Sequence, residues 1–241
     1  MNGVDQSPVR VEGPLVLVED VTKTYHRGEP DEVRALRGVS LEIAAGEVLV
    51  LEGPSGSGKT SLLTIIGCMS RPTSGQVVVG GRRVSRLSET ALTTVRRSTF
   101  GFIFQHLHLI PDLSVEDNVR LPLVPTGMSV EEMNGRVDHA LAAALIGHRR
   151  TAKVGRISGG EQQRTAIARA LVNEPEVIIA DEPTAHLDGA LSAEFLATLG
   201  GLNAAGATIV IATHDPRVME HEAVHRRVAL SDGVLANGAV V

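Results

Sequence analysis

The chain has 241 residues, a hydrophobic fraction of 43%, an aromatic fraction of 2% and a formal net charge of −5. These values fit one α/β domain with an aliphatic core. They disfavour a dedicated nucleic-acid-binding protein, which would present a basic stripe or an aromatic stacking surface. No run approaches the roughly 18 to 20 apolar residues that cross a bilayer. Residues 1–13 lack the apolar segment of a signal peptide, and we expect a flexible tail there.

Predicted strands and helices alternate along the chain. Hydrophobic patterns predict strands at 15–18, 39–43, 48–52, 76–79, 100–104, 177–180 and 208–212. Helices are predicted at 60–69, 88–97, 113–119, 130–146, 161–172 and 191–199. A terminal hairpin, 227–230 with 234–241, is predicted around Asp232–Gly233. The alternation indicates a mainly parallel sheet with helices on both faces, interrupted by a helix-rich lobe at roughly 106–170.

A glycine-rich segment at 53–60, G-P-S-G-S-G-K-T, follows an apolar strand and precedes a helix. It matches G-x-x-x-x-G-K-[ST], in which backbone N–H groups and the helix N-terminus face phosphate oxygens. Lys59 would supply a positive charge for the β- and γ-phosphates, and the Thr60 hydroxyl is a hard ligand for Mg²⁺. The predicted phosphate-binding residues are Gly53, Pro54, Ser55, Gly56, Ser57, Gly58, Lys59, Thr60 and Ser61. Alone, this motif indicates only that the chain binds a nucleoside triphosphate.

Two acids end the apolar strand at 177–180. In a parallel α/β sheet, ligands bind beyond the carboxyl ends of the strands. Asp181 could therefore orient Mg²⁺, directly or through its water shell, and Glu182 could polarise an attacking water as general base. An acidic turn that caps the next segment is the alternative, because Pro183 follows. The lone cysteine, Cys68, excludes an intrachain disulfide and is predicted to be a buried apolar side chain.

A third motif, I-S-G-G-E-Q-Q-R at 157–164, completes a family pattern. From about residue 15 to 234, the chain resembles the nucleotide-binding subunits of ABC (ATP-binding cassette) transporters. The resemblance implies an α/β fold over 14–241: a P-loop NTPase (RecA-like) core with a small antiparallel β subdomain and an inserted α-helical subdomain. It also implies an ATP hydrolase that uses Mg²⁺.

The resemblance further implies a head-to-tail homodimer with two ATP molecules between the subunits. The phosphate loop of one subunit and the segment Ser158, Gly159, Gly160 and Glu161 of the other would hold each ATP. A helix that begins near Glu161 would direct its N–H groups and dipole at the γ-phosphate. Ile157 and Glu161 depart from the commoner Leu and Gln of the family, and neither change removes the phosphate-facing groups.

Further residues acquire roles from the resemblance one at a time. Gln105 resembles the glutamine that senses Mg²⁺ and water and faces the membrane partner. His214 resembles the switch histidine on the γ-phosphate. Tyr25 lies where the family stacks an aromatic ring on adenine, with ordinary packing as the alternative. Asp188 belongs to the predicted dimer-contact loop, in which His186 is unusual and suggests a pH-sensitive contact.

Segments 62–75, 100–111, 116–122 and 158–164 resemble the lipoprotein-release and macrolide-export type, which pairs with an FtsX-like permease. We therefore expect a transmembrane permease and a second copy of the chain as partners, and no nucleic acid. The expected location is cytoplasmic, on the inner face of the cell membrane through the permease. The alternatives are a cell-division subunit, a plain solute exporter, a soluble ABC ATPase without a permease, and a nucleotide-binding regulator. Glu182 and His214 argue against the last.

Overall fold

The computed structural model describes residues 13–185 and 187–236. In this part of the chain the strands are β1 (Val16–Tyr25), β2 (Val33–Ile43), β3 (Val48–Glu52), β4 (Ser74–Val79), β5 (Arg82–Arg83), β6 (Phe100–Ile103), β7 (Val177–Asp181), β8 (Thr208–Ala212), β9 (Arg226–Ser231) and β10 (Val234–Leu235). The α-helices are α1 (Lys59–Ile66), α2 (Glu89–Thr99), α3 (Val115–Arg120), α4 (Val130–Ala143), α5 (Gly159–Leu171), α6 (Gly189–Ala204) and α7 (Pro216–Met219). Short 3₁₀-helices occupy Leu121–Thr126, Gly147–Arg149 and Val154–Arg156.

The strands form two sheets. The larger sheet has the order β10-β9-β3-β8-β7-β6 and is parallel except for the β9–β10 hairpin. The smaller sheet has the order β2-β1-β4-β5 and is antiparallel. The predicted α/β fold, with a mainly parallel core sheet beside a small antiparallel one, is confirmed. Within the described residues, no helix has the length and apolarity needed to span a membrane.

Strand β3 is buried on both faces. Leu49 and Leu51 belong to the core shared with the antiparallel sheet, α1 and α2. Val48 and Val50 point the opposite way, into the core under α3, α4, α5 and α6. A strand covered on both sides has no polar face, which explains why its sequence is a continuous apolar run. Because β3 is the third of the six strands, its carboxyl end lies near the centre of the sheet.

Between β6 and β7 lie only helices and loops. Helices α3, α4 and α5 begin after Ser114, Ser129 and Ser158, and each serine side chain accepts a hydrogen bond from the first turn of its helix. The buried Asn118 of α3 binds the preceding loop, accepting from Ile110 N at 2.7 Å and donating to Ile110 O at 3.0 Å. These bonds hold the loop that follows β6 against the helices.

Several predicted boundaries are wrong by a few residues. Helix α1 ends at Ile66, not 69, because Gly67 caps it and Cys68 takes a left-handed φ of 58°. Burial raises the pKa of the Cys68 thiol to about 11, in keeping with the predicted apolar role. Helix α5 begins at Gly159, two residues before the predicted start, because Ser158 and Glu161 form a capping box.

Other elements differ in length. Strands β1 and β2 are longer than predicted because they pair along their whole length, up to Tyr25 opposite Val33. The predicted helix at 130–146 ends at Ala143, and the predicted strand at 100–104 ends at Ile103. Helix α7 was not predicted. Three parts of the predictions lie outside the described residues: residues 1–12 of the expected tail at 1–13, His186, and residues 237–241 of the predicted strand at 234–241.

Candidate active site

The predicted phosphate loop joins the carboxyl end of β3 to α1. Gly53, Gly56 and Gly58 have φ angles of 147°, 81° and 107°, which L-residues rarely adopt. A Cβ on Gly53 would lie 2.1 Å from the carbonyl oxygen of Leu230, and one on Gly58 would lie 2.4 Å from that of Ala35. Both positions therefore require glycine, for backbone conformation and for space.

The turn between β9 and β10 is hydrogen-bonded to this phosphate loop. Gly233 N donates to Ser57 O at 3.0 Å, and Arg37 N donates to Gly233 O at 2.8 Å. The turn residues Asp232 and Gly233 have φ angles of 50° and 77°. The Asp-Gly signal predicted this turn, but its contact with the phosphate loop could not be predicted, because the pairing joins residues far apart in the chain.

Lys59 is the first residue of α1, and its side chain is only 7% exposed. The ammonium donates to the carbonyl oxygens of Gly53 at 2.7 Å and Pro54 at 3.0 Å. It also lies 3.9 Å from Oε1 of Glu182. The positive charge is thus held over the loop by neutral acceptors and one carboxylate, all of which a phosphate group could replace.

Thr60 and Asp181 meet across the cleft. Thr60 Oγ1 donates to Asp181 Oδ2 at 2.9 Å, whereas Oδ1 of Asp181 is buried and has no hydrogen-bond partner among the described residues. Burial raises the pKa of Asp181, against the opposing effects of Thr60 and Lys59. A hard cation such as Mg²⁺ prefers oxygen ligands. The two oxygens, one of them unpartnered, fit such an ion.

Glu182 lies directly after β7 and is 14% exposed. Its φ of 45° is left-handed, and its N–H donates to Ala212 O at 2.8 Å. Oε2 accepts from Thr213 Oγ1 at 3.1 Å, and Oε1 lies 2.9 Å from Nδ1 of His214. The structure therefore brings the predicted Glu182 and His214 together. It adds Thr213, a fully buried residue that sequence reasoning missed.

A second set of hydrogen bonds supports the Thr213–His214 segment. Asp215 caps α7 and accepts from Arg217 N at 3.0 Å, while Thr184 Oγ1 donates to its Oδ2 at 2.7 Å. Asp215 N donates to Thr213 Oγ1 at 3.1 Å. The Arg217 guanidinium is the largest of the influences that lower the pKa of Asp215 to about 2. The segment that carries His214 is thus tied to the loop after β7.

Part of the predicted site faces one cleft of about 700 Å³. Its lining includes Tyr25, Ser55, Gly56, Gly58, Lys59, Thr60, Ser61, Gln105, Glu182 and His214 from the predicted site. It also includes Glu32, Val33, Arg34, Ala35, Arg37, Asp232 and Gly233, which sequence reasoning missed. The Tyr25 hydroxyl lies 3.2 Å from Ser61 Oγ, and the Lys23 ammonium lies 5.0 Å from the centre of its ring. An exposed aromatic ring therefore forms part of the cleft wall.

Four predicted residues are not in the cleft lining: Gly53, Pro54 and Ser57 of the phosphate loop, and Asp181, which is hydrogen-bonded to the lining residue Thr60. The others lie elsewhere. Ser158, Gly159, Gly160 and Glu161 form the first turn of α5, and they do not line the 700 Å³ cleft. Asp188 caps α6, where Oδ1 accepts from Leu191 N at 2.9 Å.

A second cavity of about 370 Å³ is lined by Gly159 of α5 together with the cleft residues Gln105 and Glu182. Within one chain, the predicted site is thus split between the 700 Å³ cleft and the start of α5, and this second cavity lies between them.

A glycine loop with a buried lysine, opposite an acidic strand end, defines a P-loop nucleotide-binding domain. The family model described as ABC transporter matches residues 36–185, and the chain belongs to that family. The predicted resemblance is confirmed.

Relatives and solved structures agree. The chain is 46% identical over 205 residues to the macrolide export ATP-binding/permease protein MacB of Hyphomonas neptunium, covering 85% of this chain and 32% of that protein. It matches a dimeric structure of MJ0796, a bacterial ABC transporter cassette, with TM-score 0.83 and 40% identity, covering 92% and 97% of the two chains. A dimeric post-hydrolysis state of MJ0796 bound to ADP and Pi matches with TM-score 0.82 and 40% identity, with the same coverage. The chain spans about a third of the length of the curated relatives it matches.

Proposed function

We propose that this chain is the ATP-binding and ATP-hydrolysing cassette of an ABC transporter of the macrolide-export or lipoprotein-release type. One observation carries the proposal: Lys59, the Thr60–Asp181 pair and the Glu182–His214 pair face each other at the carboxyl ends of β3, β7 and β8. The similarity to MacB proteins and to a transporter cassette supports the choice of family type.

ATP would lie along the cleft with its triphosphate on the glycine loop. Backbone N–H groups and the N-terminus of α1 favour the phosphate charge. Lys59 would exchange its carbonyl partners for β- and γ-phosphate oxygens. Tyr25, whose exposed ring lines the same cleft, would stack on the adenine.

Thr60, Asp181 and Gln105 would hold Mg²⁺, with Asp181 acting directly or through water. When bound, the ion would neutralise charge on the β- and γ-phosphates. The unpartnered Oδ1 of Asp181 supports this assignment. Burial raises the pKa of Asp181 because it disfavours the ionised carboxylate, and a cation held beside it would offset that cost.

Hydrolysis needs a water in line with the γ-phosphorus. Glu182 would accept a proton as the water oxygen bonds to phosphorus and the bond to the bridging oxygen breaks. Thr213 and His214 orient the carboxylate, each through one of its oxygens. Lys59 would stabilise the charge that develops on the phosphoryl group.

The second half of each ATP site would come from another copy of the chain. Ser158, Gly159 and Gly160 form the helix start, and none of them lines the 700 Å³ cleft of its own chain. Ser158 and Gly159 are exposed, whereas Gly160 is buried. In a head-to-tail homodimer this helix start and the Asp188 loop would face the partner's ATP. Closure on ATP and opening after hydrolysis would then drive a transmembrane permease docked near Gln105, at the inner face of the membrane.

Light scattering after size exclusion, on the full chain with Glu182→Gln, tests the proposal. With MgATP the mass should double, because binding proceeds while turnover falls by about 10² to 10⁴. Adding Lys59→Ala to this variant should abolish the dimer, because the phosphates lose their positive charge. A variant that stays monomeric at saturating MgATP would overturn the ATP-dependent homodimer. Retained turnover would overturn the role of Glu182.

A further inference from the structure

The first turn of α5 is closed by its own glutamate. Ser158 N and Ser158 Oγ both donate to Oε2 of Glu161, at 2.8 and 3.0 Å. In return, Glu161 N donates to Ser158 Oγ at 3.3 Å. A serine hydroxyl has one hydrogen. That hydrogen is therefore directed at a carboxylate of the same helix and not outward.

The other oxygen of Glu161 faces Arg149 and His148 of the 3₁₀-helix Gly147–Arg149. Arg149 Nε donates to Oε1 at 2.6 Å, and His148 Nε2 lies 3.5 Å from the same atom. The Arg149 guanidinium, followed by the Ser158 N–H, lowers the pKa of Glu161 to about 2. Glu161 is 16% exposed and Arg149 half exposed. The carboxylate is therefore ionised at neutral pH and shared between the serine and the arginine.

This arrangement conflicts with the role proposed for Ser158. A γ-phosphate that reaches the start of α5 requires the serine hydrogen that Glu161 holds. It also brings negative charge to a helix end that already carries an anion, and like charges repel at short range. A glutamine in place of Glu161 would hold the serine hydrogen less strongly and would not repel the phosphate, because its amide is neutral and offers N–H donors.

We propose that Arg149 holds and neutralises the Glu161 carboxylate, so that Ser158 can turn its hydroxyl to the partner-bound γ-phosphate when the dimer closes. This inference rests on the proposed function, because it requires ATP from a second copy at the start of α5. Arg149 and Glu161 are positioning residues, and Ser158 is the residue that contacts the nucleotide. The need for Arg149 arises from the charge of Glu161.

A double-mutant cycle tests that dependence. In the Glu182→Gln chain, the MgATP concentration that converts half of the protein to dimer is measured for Arg149→Ala, for Glu161→Gln and for both together. Arg149→Ala should raise that concentration about two- to fivefold, the range expected for an exposed ion pair. In the Glu161→Gln background it should have no effect. Arg149→Lys should restore most of the loss.

In the chain with Glu182 intact, steady-state ATPase assays should show the same pattern in the KM for ATP. Arg149→Ala should raise KM when Glu161 is present and leave it unchanged in the Glu161→Gln background, with little change in kcat. Arg136→Ala is the matched control: it removes an arginine that pairs with Glu174, 3.5 Å away, in the same helical region. It should shift neither quantity. Thermal unfolding of each variant monitors folding separately.

The outcomes separate the two proposals. If the Glu182→Gln parent never dimerises, the proposed function fails. If the parent dimerises and Arg149→Ala has the same effect with Glu161 present as in the Glu161→Gln background, then Arg149 has only a structural role and this inference is overturned. An Arg149→Ala variant with unchanged ATP dependence would overturn it as well.

Discussion

The cleft and the start of α5 are built in opposite ways. The cleft gathers residues from distant segments, and its loop is fixed by glycines, by the β9–β10 turn and by the buried Lys59. The start of α5 is capped and ion-paired within residues 147–161, and Ser158 and Gly159 are exposed there. The groups proposed to bind Mg²⁺ and to activate water all come from one molecule. The start of α5 is only capped within its own chain, and under the proposed function it contacts ATP held by a second copy.

Ser158→Arg should break this comparison most strongly. A bulky cation at the helix start should prevent dimer closure and lower ATPase activity about 10²-fold or more, as expected when a central interface contact is blocked. ATP binding to the monomer should not change, because Ser158 does not line the cleft. Fluorescent nucleotide titration and ATPase assays measure the two effects.

Ser129 provides a matched control for that experiment. It caps α4 in a capping box with Glu132, as Ser158 does with Glu161 in α5. Ser129→Arg should lower thermal stability through the lost cap and leave the ATP dependence of dimer formation unchanged. Weakened nucleotide binding in monomeric Ser158→Arg would contradict the separation of the two regions.

Asp181→Asn should have the next largest effect, at the proposed ion site beside Thr60. The affinity for Mg²⁺ in the presence of ATP should fall about 10- to 100-fold, the usual range when a residue that orients a metal or its water shell is lost. Without nucleotide the variant should be as stable as the parent or more stable, because burial opposes the ionised form of Asp181. Calorimetric MgATP titration and thermal unfolding test both effects.

The sign of the pH dependence follows from the same pKa shift. A carboxyl whose folded-state pKa is raised destabilises the fold when ionised, and that penalty disappears as pH falls through the raised folded pKa towards the unfolded value. The stability difference between Asp181→Asn and the parent should therefore shrink on acidification. An unchanged affinity for Mg²⁺ in Asp181→Asn would show that Asp181 does not hold the ion.

Asp215→Ala should have the smallest effect. It removes the cap of α7 and the hydrogen bond from Thr184, and it should lower the free energy of unfolding by about 1 kcal/mol. The pKa of Asp215 is lowered to about 2 in the folded state, so its stabilisation is present above the unfolded value near 3.9 and is lost as pH falls towards 2. Denaturant unfolding of parent and variant at neutral pH and near pH 2.5 should show the difference narrowing.

The same contrast explains what the sequence could predict. Strand β3, the loop at 53–60 and the acids after β7 were predictable because each is a local pattern. The start of α5 was placed two residues late although Ser158 and Glu161 have capping-box spacing, a signal that was readable. Helix α7 was also signalled, by Asp215 followed by Pro216 at the first helical position.

The contacts between these elements were not predictable. Nothing local to Gly233 indicates that its N–H bonds the phosphate loop, and nothing near Thr213 or Thr184 indicates the carboxylates that they reach. No local pattern indicates a role for Arg149, because its ion pair is with Glu161, twelve positions away. The turn between the two residues brings them close. Pairings of this kind follow from the fold and not from local propensity.

Tyr25 gives the molecule an internal optical probe. It is the only tyrosine in a chain that has no tryptophan, and its exposed ring lines the cleft with its hydroxyl near Ser61. Ultraviolet emission from the unlabelled protein therefore comes almost entirely from the place where a nucleotide base would stack. Titrations and stopped-flow mixing can be followed by this one fluorophore with no dye attached, and dimer trapping needs only the Glu182→Gln change.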